Sequence, residues 1–198
     1  MASPRAIAAA RRWRPKRERG VRLRGRRGRS SLLACDGRKV RRLETPGDRY
    51  VRHTLAITEL VIRLHEATGR GELDLIALQA EPACWRVFTG PARTRVTVKP
   101  DLYVNLGAGD YEDRWFIEVD LATEARGTLQ SKAKRYVSHL RSGAEGRVYP
   151  RVLWVVPDDH RLERLQDALG ALPVEYQRLF SYITFDHAVG FLAREARV

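Results

Sequence analysis

Three carboxylates in this chain have types and spacing suited to chemistry. Glu118 and Asp120 lie two apart in RWFIEVDLA, so on a strand both side chains leave the same face of the sheet. Asp101 follows Pro100 in RVTVKPDLYVNL, on the face opposite Leu102 and Val104, where a hairpin would carry it beside the pair. Converging carboxylates repel one another. A divalent cation that takes hard oxygen ligands, Mg²⁺ or Mn²⁺, relieves the repulsion and can activate water against a phosphodiester. The competing reading is an amphipathic strand with its polar face in water. Trp115, Phe116, Ile117, Val119 and Leu121 weigh against it, because a strand apolar on both faces is covered on both, and unpaired charge there is costly.

The elements that must position these residues follow from periodicity. Val51, Leu55, Ile57, Val61 and Leu64 predict a helix over 50–67, stopped by Gly69 and Gly71. Residues 72–80 alternate as a strand, and 95–106 read as one strand with Val96, Val98, Leu102, Val104 and Leu106 on one face. A third strand over 114–122 puts Trp115, Ile117, Val119 and Leu121 on one side, with Phe116, Glu118 and Asp120 on the other. A helix over 127–140 follows, then the continuous apolar run of a buried parallel strand over 151–157. Asp158 and Asp159 offer N-caps to a helix ending at Leu169, and a strand near 182–185 and a helix capped by Asp186 close the chain. The order α-β-β-β-α-β-α-β-α specifies an α/β fold, a three-layer sandwich about a central mixed sheet.

Charge divides the chain sharply. Residues 1–52 hold 18 Lys and Arg against 4 Asp and Glu, a net of +14, whereas residues 53–198 hold 19 against 20, a net of −1. The chain is therefore read as a basic arm over 1–47, broken by Pro15, Gly20, Gly25 and Gly28, and an α/β domain over 48–198; residues 30–43 have the makings of a short strand or wing. A concentrated basic segment attracts a polyanion through counterion release, which points to nucleic acid. The arm residues assigned to that contact are Arg11, Arg12, Arg14, Lys16, Arg17, Arg22, Arg24, Arg26, Arg27 and Arg29. A solvated tail and an arm directed at RNA are the competing readings. No apolar run reaches the roughly 18–20 residues of a bilayer span, and the arm lacks a bulky apolar face for a membrane surface. Cys35 and Cys84 form neither a disulfide framework nor a zinc motif, which fits a reducing cytoplasm. The sequence is compatible with a homodimer without specifying one.

Other candidates carry less. His53, His65, His139, His160 and His187 lack ligand spacing and read as ordinary surface or helix residues. No GxxxxGK[ST] loop is present and no Ser/His/Asp set stands out. Trp115 and Trp154 fall in strands and read as core rather than as base-stacking platforms.

The segments RYVRHTLAITEL, QAEPACW, VKPDLYV, FIEVDLATE and SKAKRYVSHLRSG resemble the actinobacterial replication-relaxation family, from about residue 48 to the C-terminus. The order α-β-β-β-α-β, with Pro100-Asp101 on one strand and Glu118-Val119-Asp120 on the next, resembles the PD-(D/E)xK nuclease superfamily, a restriction-endonuclease-like core here followed by an α-β-α extension. The resemblance implies a protein of plasmids or mobile elements connected with replication control and acting on DNA. It implies Asp101 and Glu118 as metal ligands, with Glu81 or Glu59 as a further acidic residue. Asp120 stands where active nucleases carry Lys, and Lys132 on the following helix, or less favourably Lys134, would supply that cation. Two functions follow: cleavage of DNA phosphodiesters with Mg²⁺ or Mn²⁺, or DNA binding in replication control without catalysis, which the Lys-to-Asp departure favours. Family members also resemble a winged helix at the start, where this chain has a broken Arg/Gly stretch.

Overall fold

The computed structural model describes residues 47–196, so the basic segment and the strand or wing expected over 30–43 lie outside the described residues. The first helix, α1 (Asp48–Gly69), buries Ile57, Leu60, Leu64 and Ala67, positions that recur at helical spacing. Seven strands follow: β1 (Asp74–Ala80), β2 (Arg86–Thr89), β3 (Arg95–Val98), β4 (Leu102–Ala108), β5 (Tyr111–Val119), β6 (Arg151–Val156) and β7 (Phe180–Thr184). Between and after them lie α2 (Arg126–Ser142), α3 (Asp159–Leu169), the single turn α4 (Val174–Gln177) and α5 (Ala188–Glu195).

Five strands form one mixed sheet in the order β1-β4-β5-β6-β7. The β1–β4 and β4–β5 pairs are antiparallel, and the β5–β6 and β6–β7 pairs are parallel. The parallel half is the more apolar, as burial on both faces demands: Val152, Leu153, Trp154 and Val155 of β6 are fully buried. One sheet face packs Leu102, Val104, Leu106, Trp115, Ile117 and Val119 with residues of α1 and α5. The other packs Phe116, Val152 and Trp154 with Leu129, Ala133 and Tyr136 of α2 and Leu165, Ala168 and Leu169 of α3. This is the expected three-layer α/β sandwich, and Trp115 and Trp154 are core residues as their strand positions predict.

One expected strand is two. Residues 95–106 break at Lys99-Pro100-Asp101 into β3 and β4, because a proline cannot donate to a ladder. The break also changes face. Val96 and Val98 pack beside Phe88 on the α2 side, while Leu102, Val104 and Leu106 pack against α1. The short β2, not anticipated from sequence, pairs antiparallel with β3 as a separate hairpin. At the far end of α2, Gly143 at φ 69° makes the left-handed C-cap that glycine adopts most cheaply, so the helix stops there.

Candidate functional site

The central strand β5 has an antiparallel neighbour on one side and a parallel one on the other, so its carboxyl end is a point where strand direction switches. Asp101 enters this region just before β4, Glu118 lies on β5, and Asp120 follows it, with its N–H donating to the carbonyl of Val155 at 2.9 Å. All three residues are buried, at 6%, 2% and 4% exposure respectively.

Asp101 is held by both backbone and side chain. Its N–H donates to the Ile117 carbonyl at 3.0 Å, and its Oδ2 accepts from the N–H of Val119 at 2.7 Å. Its Oδ1 lies 3.1 Å from Nε2 of His53, which α1 delivers from across the sheet end. That hydrogen bond raises the His53 pKa above its ordinary value, although burial opposes it. The sequence reads His53 as an ordinary helix residue; its place within RYVRHTLAITEL was the available signal.

Glu118 faces α2. Lys132 Nζ donates to Oε2 at 3.0 Å, and the Tyr136 hydroxyl donates to Oε1 at 2.5 Å. Lys132 and Tyr136 are four residues apart, so one helix face serves one carboxylate. Burial pushes the Glu118 carboxyl up to about 7, Lys132 pulls it down, and Asp101 raises it further. Burial also works against the Lys132 ammonium, but Glu118 and Glu124 outweigh it and raise its pKa; Glu124 Oε1 is 2.9 Å from Nζ. The structure thus puts Lys132 beside Glu118, and leaves Lys134 exposed on the helix surface. Tyr136 reads from sequence only as a core position, and its helical spacing to Lys132 could have placed it here.

Asp120 turns elsewhere. Its Oδ2 accepts from Arg161 Nε at 2.7 Å, and its Oδ1 accepts from the N–H of Ala122 at 3.0 Å. Arg161, 3% exposed, also donates to the Glu124 carbonyl at 2.8 Å, while its own N–H caps onto Asp158 Oδ1 at 2.8 Å. Arg161 was not anticipated. It follows the N-cap Asp158 that sequence places at the start of α3, and helix geometry aims it back at the sheet end.

The arrangement therefore differs from three carboxylates turned onto one cation. All six carboxylate oxygens of Asp101, Glu118 and Asp120 accept from or face an internal donor, and Asp120 is neutralised by a guanidinium. Among the described residues no group of three or more His, Cys, Asp or Glu is arranged to hold a metal ion. As arranged, the set does not fit Mg²⁺ or Mn²⁺, which need free oxygens in octahedral geometry.

The remaining candidates separate. Glu81 is exposed, its N–H bonded to the Asp101 carbonyl at 3.1 Å, and it acts on His53 only electrostatically. Glu59 is paired with Arg63 at 2.7 Å on the outer side of α1. Cys84 is a buried thiol donating to the Pro100 carbonyl at 3.0 Å, and burial pushes its pKa up to about 12, which favours the protonated thiol over the thiolate. The ten basic residues assigned to nucleic acid, between 11 and 29, lie outside the described residues. Among the described residues no helix is long and apolar enough to cross a membrane.

No curated protein matches the chain. The replication-relaxation family does, over residues 17–152. That span begins inside the Arg-rich segment, earlier than the motifs indicate, and ends in β6 rather than at the C-terminus. It covers the motif segments around His53, Asp101, Glu118 and Lys132, and with more than half of the sequence matched, the chain belongs to the replication-relaxation family.

Proposed function

We propose that this protein is a DNA-binding regulator of plasmid or mobile-element replication, whose carboxylate cluster is a structural junction and not a catalytic metal centre. The observation carrying this reading is the internal neutralisation of the cluster: Asp120 by Arg161, Glu118 by Lys132 and Tyr136, and Asp101 by His53 and the Val119 N–H. Family membership supports the link to replication, and the net +14 of residues 1–52 supports DNA as the object. Fluorescence anisotropy of the full chain on duplex DNA tests it. Residues 1–29 carry 12 basic residues and one acidic, so their deletion should weaken binding by roughly two orders of magnitude and flatten the salt dependence. A deletion variant with unchanged affinity and salt slope removes residues 1–29 from the contact, and a full chain that binds no DNA defeats the reading.

A second reading, divalent-ion-dependent cleavage of DNA phosphodiesters, draws on Lys132 Nζ at 3.0 Å from Glu118, the pairing of cation and carboxylate that such an enzyme needs. It requires Asp101 and Glu118 to exchange their present partners for the ion. Supercoiled plasmid incubated with Mg²⁺ or Mn²⁺ and the wild type or Asp101→Ala decides it: nicking by the wild type alone supports cleavage, and equal behaviour of the two removes it.

A further inference from the structure

A cleft of about 560 Å³ lies between α2, the end of β2 and the segment leading into α4, away from the carboxylate cluster. Lys134, Ser138 and Arg141 line it from one face of α2, at spacings of four and three residues. Val137, Leu172 and Tyr176 give it an apolar and aromatic floor. Its charge has one sign. The α2 sequence RGTLQSKAKRYVSHLRS contains five Lys and Arg and no Asp or Glu, so no carboxylate on the helix itself offsets the cations. Lys132 turns inward to Glu118, whereas Lys134 and Arg141 are exposed and neither is in an ion pair among the described residues. The β2–β3 hairpin that borders the cleft carries Arg93 and Arg95 at its tip, both exposed.

We propose that this cleft binds a single DNA strand, with phosphates at Lys134 and Arg141 and an unstacked base against Tyr176. The inference rests on the reading that the protein binds DNA, and assigns a contact in the folded domain beyond the basic segment. Lys134 and Arg141 are two turns apart, roughly 10 Å along the helix axis at 1.5 Å per residue, a rim along which a backbone can run. The Ser138 hydroxyl stands between them as a further donor to phosphate. A cationic rim over an aromatic floor is the combination that holds single strands, since every base offers a π-face once it leaves the stack. Duplex DNA keeps its bases stacked and would leave the floor unused.

The test uses the full-length protein and fluorescence anisotropy with a single-stranded oligonucleotide and the duplex of the same sequence, across a salt series. Lys134→Gln with Arg141→Gln should lower single-strand affinity at least tenfold and reduce the log–log salt slope by about 1.4, the value for two phosphate contacts. Tyr176→Ala should lower single-strand affinity by roughly five- to a hundredfold with an unchanged salt slope and little effect on the duplex, and Tyr176→Phe should restore it. Circular dichroism and melting confirm that the variants fold. Photocrosslinking of a bromouracil-substituted strand should label a peptide containing Tyr176 in the wild type. If the wild type binds DNA and these variants bind single strands unchanged, the cleft proposal fails alone. Equal losses on single strand and duplex also overturn it, in favour of a plain phosphate surface. If the wild type binds neither form, the DNA-binding reading fails with it.

Discussion

Arg161 on α3 donates from Nε to Oδ2 of Asp120 at 2.7 Å, and both residues are almost wholly buried. A pair so enclosed stabilises mainly in the sense that neither charge tolerates losing the other. Arg161→Leu should therefore cost about 3–5 kcal/mol in urea denaturation, because Asp120 is left charged and desolvated. Adding Asp120→Asn to Arg161→Leu should recover part of that loss. An Arg161→Leu protein that unfolds at the wild-type urea midpoint would show that Asp120 finds other solvation, and that the junction is not held by this pair.

His53 and Asp101 connect α1 to the sheet through one hydrogen bond, and the His53 pKa is raised by it. A raised histidine pKa contributes stability that is fully present below its ordinary 6.5 and is lost as pH climbs through the folded value. The side chain is 30% exposed, so the stability effect is small and the titration itself is the better readout. NMR should find the His53 pKa above 6.5 in the wild type and lower in Asp101→Asn, where the charge and its stronger hydrogen bond are gone. No difference between the two proteins would dissolve the link.

How much of this was legible in sequence depends on the range of the signal. Helix and strand periodicity located α1, α2, α3 and the sheet strands because each buries a face of fixed period. Pro100 is the instructive failure: alternation runs on from Val96 through Leu106, yet β3 pairs with β2 in a separate hairpin on the α2 side while β4 enters the central sheet with Leu102, Val104 and Leu106 facing α1, and only the missing N–H of proline marked the break. At the site, Glu118 and Asp120 do share a face, as their spacing requires. Their partners could not be read the same way. Arg161 lies 41 residues from Asp120 and His53 lies 48 from Asp101, contacts set by the packing of helices on the sheet and carried by no local pattern.

His139 titrates in the opposite sense to His53. It is buried near the end of α2 with its ring 4.9 Å from that of Phe88, and Nδ1 lies 2.9 Å from the Tyr149 hydroxyl. Burial pushes its pKa down to about 4, with Arg86 adding to the effect. A depressed histidine pKa gives stability that is present above 6.5 and lost as pH falls toward 4. His139→Gln should accordingly show a shallower loss of melting temperature between those limits than the wild type. Parallel acid profiles would mean that His139 protonates without cost.

Glu118 tests the cluster most directly, because its carboxyl is pushed up from 4.5 to about 7, first by burial. Its contribution to stability is whole below 4.5 and is lost as pH rises through about 7, since the folded state then holds a desolvated charge. Glu118→Gln keeps the shape and an acceptor for Tyr136 but cannot ionise, and Lys132 retains Glu124 at 2.9 Å. The variant should gain on the wild type as pH climbs through that window, by on the order of 2–3 kcal/mol at the upper end. Melting curves at several pH values check it, and a constant offset between the proteins would show that Glu118 does not titrate in this range. The same curves with Mn²⁺ separate the two functional readings. A structural junction predicts no metal-dependent rise in either protein, because the carboxylate oxygens already have partners. A rise in the wild type that Glu118→Gln abolishes would instead mean that the ion displaces Lys132 and Tyr136, and would move the balance to phosphodiester cleavage.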